Sequence, residues 1–267
     1  MTAPPSEAPV PAPGAASNVP ALEVEELGKV YGELRAVSGL SLKVAPGEVL
    51  GLVGPNGAGK TSTLRCLAGI IPPTHGRIRI RGSDLVTAPV QAKRELAFLP
   101  DEPRLFEYLT VREHLNFVAR LYGVTDWEAK GATLLAELEL GGKEDALPSE
   151  LSRGMKQKLS IACGFLHDPK LILLDEPLTG LDPLGIRKMK ESLRARARAG
   201  TALVLSSHLL PLVEELCDRI LVIARGRMVA LGSLAEIRAQ LGATGEGGPG
   251  ATLEDVFIRI TAGAEGA

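Results

Sequence analysis

The sequence predicts an α/β fold in three parts: a parallel sheet between helices, an antiparallel β layer, and a helical segment inserted into the chain. Three observations carry this. Short continuous apolar runs at Val49–Val53, 171–174 and 202–205 have the composition of strands covered on both faces. Leu40, Leu42 and Val44 instead alternate with polar residues, as in a strand with one solvated face. Between Thr110 and Leu166 the apolar period becomes helical: Val111, Leu115, Val118 and Tyr122 share one face, and Leu134, Leu135 and Leu138 share another.

Taken in order, residues 1–20 are almost entirely Pro, Ala, Ser and Glu. They bury too little apolar surface to offset the entropy of ordering, so a disordered tail is expected. Residues 21–241 form one expected domain, with the helical insertion at about 103–167. Residues 242–267 are expected to be a Gly-rich linker and a short C-terminal segment. Runs at 220–223 and 228–231 flank Arg225-Gly226 and predict a hairpin.

Composition narrows the function. At 267 residues, with 45% hydrophobic and 23% charged residues, the chain has material for one large α/β core. A net charge of −2 supplies no global field for nucleic acid, and 3% aromatic content supplies no stacking platform for single strands. No basic segment followed by an apolar run opens the chain, so no leader is expected. No run of about 18 apolar residues is present, so any work at a membrane would need another subunit to span it. Cys66, Cys163 and Cys217 have no metal or disulfide spacing and are expected to be small buried hydrophobes in a reducing compartment.

The chemistry starts at Gly54-Pro55-Asn56-Gly57-Ala58-Gly59-Lys60-Thr61, followed by Ser62. This fits G-x-x-x-x-G-K-[ST] after a strand and before a helix expected at 62–68. The fold is therefore expected to be a P-loop NTPase (RecA-like) core. Its glycines let backbone N–H groups face a β-phosphate at the positive end of the helix. Lys60 reaches the β- and γ-phosphates, and the Thr61 hydroxyl ligates Mg²⁺.

Further along, the buried strand at 171–174 ends in Asp175-Glu176. Asp175 is suited to hold Mg²⁺ and Glu176 to polarise an attacking water. Alone, such a pair reads equally well as a solvated strand end; after a P-loop it reads as chemistry. A GTPase would need Asn-Lys-x-Asp, which is absent.

Leu151-Ser152-Arg153-Gly154-Met155-Lys156-Gln157 decides the family. It resembles the signature of ATP-binding cassette (ABC) proteins, usually Leu-Ser-Gly-Gly-Gln, with Ser152 in an N-cap position. The resemblance runs from Val24 to Leu231. It implies that Tyr31 stacks on adenine, unless it only covers an apolar surface. It also implies that 98–102 is the Q-loop segment, that Asp182 in Gly180-Leu181-Asp182 communicates across a dimer, and that His208 after Ser206-Ser207 contacts the γ-phosphate. Ser152 and Gly154 would act in trans on a partner's nucleotide. His75, His114 and His167 match no motif and are expected to be structural or exposed.

Two departures stand out. Asp101 replaces the usual glutamine and is either a metal ligand beside Thr61 and Asp175 or a turn residue before Pro103. Arg153 replaces a glycine and is expected to point away from ATP, toward the helical insertion or a permease. Six basic residues between Arg187 and Arg198 are interleaved with Met189 and Leu193, the pattern of a solvated helix face.

The resemblance implies an ATPase with ATP and Mg²⁺ as cofactors, working as a dimer, with homodimer the expectation. Its other partner would be a separate transmembrane permease, which places it at the cytoplasmic face of the cell membrane. Asp101-Glu102-Pro103 and the 253–257 segment look like those of cassettes serving ABC-2-type exporter permeases. The alternative is a soluble ABC ATPase of translation or DNA repair; such proteins usually carry two cassettes or a long coiled-coil insertion, and this chain has neither.

Overall fold

The computed structural model describes residues 19–242 and 254. The expectations for residues 1–18 and for the segment after 242, Glu254 apart, lie outside the described residues.

Two sheets organise the chain. The first holds β1 (Leu22–Tyr31), β2 (Leu34–Val44), β4 (His75–Ile80) and β5 (Ser83–Asp84). Its order is β2-β1-β4-β5 with antiparallel pairing throughout. The second holds β3 (Val49–Val53), β6 (Leu96–Leu99), β7 (Leu171–Asp175), β8 (Ala202–Ser206), β9 (Arg219–Ala224) and β10 (Arg227–Gly232). Its order is β10-β9-β3-β8-β7-β6, parallel except for the β9–β10 hairpin. The predicted α/β class is therefore observed, with both its parallel and antiparallel layers.

Every residue of β3, β7 and β8 is buried, which is why their sequences are continuous rather than alternating. The alternation survives in which core each side chain joins. Leu171, Leu173, Ala202 and Val204 enter the core shared with the antiparallel layer and helix α1 (Lys60–Leu67). Ile172, Leu174, Leu203 and Leu205 enter a second core on the opposite face. Each buried leucine stabilises the fold by about 2 kcal/mol relative to exposure.

The second core includes the segment between β6 and β7, with α3 (Val111–Tyr122), α4 (Trp127–Glu137) and α5 (Arg153–Phe165). Thr110 and Glu113 form a reciprocal capping box at the start of α3, and Gly123 ends it at φ 72°. Elsewhere α2 (Pro89–Arg94), α6 (Pro183–Arg198), α7 (Leu210–Leu216) and α8 (Leu234–Gly242) flank the sheets.

Ion pairs on α6 fasten the insertion to the core. Arg196 pairs with Glu137 and lies 3.9 Å from the Phe165 ring centroid, while Glu139 receives Lys188 and Lys158. Lys190 and Arg194 both meet Glu215 of α7. The basic face of α6 is thus largely paired rather than simply solvated.

Of the three unassigned histidines, His75 is exposed, and His114 and His167 are structural. His75 packs where a Gly28 Cβ would lie. Buried His114 donates from Nδ1 to the Thr110 carbonyl and accepts the Phe106 N–H at Nε2. His167 stacks on Tyr122 at 3.7 Å. Burial pushes the Cys66 thiol up to about 11 and those of Cys163 and Cys217 up to about 12. Cys66 is buried as expected, whereas Cys163 and Cys217 are partly buried and pack against the second core.

Candidate functional site

A cavity of about 620 Å³ opens at the C-terminal end of β3. Its wall carries Tyr31, the loop 56–59, Lys60, Thr61, Ser62, Asp175 and Glu176. These come from three chain regions that the strand order brings side by side.

Glycine is required in the P-loop for steric reasons. A Cβ on Gly54 would lie 2.3 Å from the Ile223 carbonyl oxygen. At Gly59 the backbone has φ 106°, and a Cβ would lie 2.2 Å from the Ala36 carbonyl oxygen. Gly59 is the N-cap of α1, so the helix starts at Lys60 rather than at the expected Ser62. Its amide groups therefore face the cavity one half-turn earlier.

Lys60 Nζ donates to the carbonyls of Gly54 (2.7 Å) and Pro55 (3.2 Å), lying across its own loop. Burial depresses its pKa, and the charges of Glu176 and Asp175 oppose that shift. The ammonium is thus partly desolvated before any anion arrives.

Asp175 is only 5% exposed. It follows Leu171 and Leu173 on the strand face that packs with α1, which aims it at the P-loop side. Its Oδ1 accepts a 2.6 Å hydrogen bond from Ser206 Oγ, and Ser206 Oγ accepts the Glu176 N–H at 3.1 Å. Ser206 thus fixes both acidic residues. The sequence reading gave it no role, although Asp175 and Ser206 are direct partners in the β7–β8 register.

Ser206→Ala leaves a buried carboxylate oxygen without its donor. It should destabilise the protein by about 1–3 kcal/mol, read from urea unfolding. An unchanged midpoint would show that the bond contributes nothing.

Glu176 stands at φ 48°, a left-handed backbone position outside the strand. Its Oε2 accepts from His208 Nδ1 at 2.8 Å and from the His208 N–H at 3.3 Å. The expected base and the expected switch histidine are therefore in contact.

Other predicted residues stand outside this cavity's wall. Ser152 caps α5, its Oγ accepting the Met155 N–H at 3.2 Å, and Asp182 caps α6 by accepting the Gly185 N–H at 2.8 Å. A Gly154 Cβ would lie 3.1 Å from the Gly180 carbonyl oxygen. Arg153, expected to point away from ATP toward the helical insertion or a permease, opens α5. Its side chain runs along Gly180, which at φ 82° presents open backbone to it. Asp101 is not on the wall, but its Oδ1 is buried without a partner.

Two arginines on the wall, Arg35 and Arg225, were not anticipated. Among the described residues no group of three His, Cys, Asp or Glu side chains could hold a metal. A cation here would therefore take a hydroxyl, one or two carboxylates and ligand oxygens, the donor set that suits Mg²⁺. Thr61 and the second oxygen of Asp175 supply that set, and Asp101 follows the neighbouring strand end with an unpartnered oxygen.

Comparison with known proteins adds the following. The family described as "ABC transporter" matches residues 37–179. Over 242 residues the chain is 33% identical to the ABC-type transporter ATP-binding protein EcsA of Bacillus subtilis (strain 168), spanning 90% of this chain and 96% of that one. It is 40% identical over 215 residues to the Nod factor export ATP-binding protein I of Paraburkholderia xenovorans (strain LB400), with coverage of 80% and 71%. A solved ATP-binding subunit of an ABC transporter superposes with a TM-score of 0.85 at 36% identity, covering 90% of this chain and 99% of that one.

Proposed function

This chain belongs to the ABC transporter family as an ATP-binding subunit that hydrolyses ATP, and from that premise we propose that two copies close around two ATP to drive a separate permease outward. The observation that carries the reading is the convergence of the P-loop, Tyr31, Asp175 and Glu176 on one cavity. Tyr31 stacks on adenine, and the amides of 54–61 with Lys60 take the β- and γ-phosphates. Thr61 and Asp175, with Asp101 as a third oxygen donor, would hold Mg²⁺, which when bound would neutralise charge on the phosphates.

Glu176 takes the proton of the attacking water, and His208, already bonded to it, meets the γ-phosphate. Ser152 and Gly154 of one copy close on the other copy's γ-phosphate, with Asp182 beside them. ATP is thereby glue between copies, and its hydrolysis loosens them; a ligand shifts a conformational balance only by binding the two states unequally.

Export is supported by relatives named for Nod factor export and linearmycin resistance. Neither of these relatives is named for translation or DNA repair. Among the described residues no helix is long and apolar enough to cross a membrane, and we assign the spanning to a separate subunit. The insertion offers that subunit exposed Phe106 and Phe117, whose rings meet edge-on at 5.1 Å, together with exposed Tyr108 and Leu121. With that docking we assign the protein to the cytoplasmic face of the membrane.

Closure of the dimer is the test. Gly154→Asp adds a charged side chain where a Cβ would already lie 3.1 Å from the Gly180 carbonyl oxygen, beside the amide that serves the partner's γ-phosphate, and ATP-induced dimers should vanish in light scattering. Arg153→Gly should leave them largely intact, because Arg153 lies along its own chain's Gly180. Equal loss from both changes would contradict the trans-acting role of Gly154.

A further inference from the structure

Arg35 and Arg225 both line the cavity, and neither is joined to a carboxylate by a hydrogen bond or ion pair among the described residues. Their closeness is a property of the fold. The backbone of 35–38, the end of the P-loop and the β9–β10 hairpin meet in one knot. Gly226 N donates to the Ala58 carbonyl (2.9 Å), and Ser38 N donates to the Gly226 carbonyl (2.7 Å). The Ala36 carbonyl lies against both Gly59 and Gly226, and the Arg35 carbonyl also touches Gly226. No side chain fits inside this knot, so the flanking arginines sit on its rim.

We propose that Arg35 and Arg225 form a cationic clamp for the α-phosphate of the bound nucleotide. The clamp rests on the reading of this cavity as the ATP site. Two guanidinium groups on one rim repel each other, and an anion between them relieves the repulsion. The carboxylates on the same wall are already engaged, Asp175 by Ser206 and Glu176 by His208.

The position on the rim selects the phosphate. Arg35 lies four residues from Tyr31, the proposed adenine platform, and the carbonyl of its neighbour Ala36 lies against Gly59, the last loop residue before α1. Between base and outer phosphates lie the ribose and the α-phosphate, and of those two only the phosphate is charged. Arg225 stands at φ 49°, where Asn or Gly is the unstrained residue, and there it presents a long cation to the cavity.

Both ATP and ADP carry the α-phosphate, so the clamp binds them equally and is indifferent to hydrolysis. The test is calorimetric affinity for ATP and for ADP, using Arg35→Ala and Arg225→Asn in the full chain. Asn removes the charge while suiting the left-handed turn. Each change should weaken both nucleotides by about three- to tenfold, with the ATP-to-ADP ratio unchanged. Arg35→Lys should restore part of the loss. Affinities equal to the unmodified chain, or a loss confined to ATP, would overturn the clamp while leaving the ATP-site reading intact. An unmodified chain that binds neither nucleotide would overturn both.

Discussion

Glu176→Gln is expected to lower ATP turnover by about 10²- to 10⁴-fold, the usual contribution of a positioned general base. ATP should still bind, and the protein should accumulate as an ATP-loaded dimer. The geometry explains why these effects separate. Glu176 is held by its backbone N–H on Ser206 and by one carboxylate oxygen that receives His208. Glutamine keeps an acceptor oxygen for His208 and keeps the shape, but it cannot take a proton from water. Binding groups on the P-loop are untouched. Steady-state phosphate release and size exclusion with ATP measure the two effects. Turnover near that of the unmodified chain would assign the base elsewhere.

Lys60→Ala should abolish measurable turnover and weaken ATP binding by on the order of 10- to 100-fold. Lys60 is the cavity cation whose charge couples directly to Glu176 and Asp175. Without it, a triphosphate meets two carboxylates with less compensation. Since the ammonium already bonds Gly54 and Pro55 and is partly desolvated, moving it onto phosphate exchanges those bonds and strips little further water. Filter binding with labelled ATP reads the loss. Retained affinity in the alanine variant would mean that the loop amides alone carry the phosphates.

The strands β3, β7 and β8 were legible because full burial demands continuous apolar sequence. The P-loop was legible because its backbone tolerates only glycine at Gly54 and Gly59. Shorter polar elements such as β5 and α2 carry too few periods to read. The rest was hidden for a different reason. Arg35 and Arg225 are 190 positions apart and meet only through a backbone knot that has no side-chain pattern. Ser206 acquires its part from parallel register with Asp175, which pairs strands distant in the chain. Arg153 follows Gly180 because a glycine there leaves room, a fact about the neighbour rather than about the arginine. Asp101 lies just past the end of β6, and its place in the sequence left both a metal ligand and a turn residue open.

The division of β7 between two cores has a consequence for how the acidic pair is held. Leu171 and Leu173 belong to one core, Ile172 and Leu174 to the other. Sliding the strand by one position would exchange all four and turn Asp175 to the wrong side. Intermediate positions do not exist, because hydrogen-bond register comes only in whole steps. Asp175 therefore sits on a notched rail rather than a sliding one. Whatever adjustment the catalytic cycle requires must come from the loops beyond the strand's end, where Glu176 already leaves the β conformation.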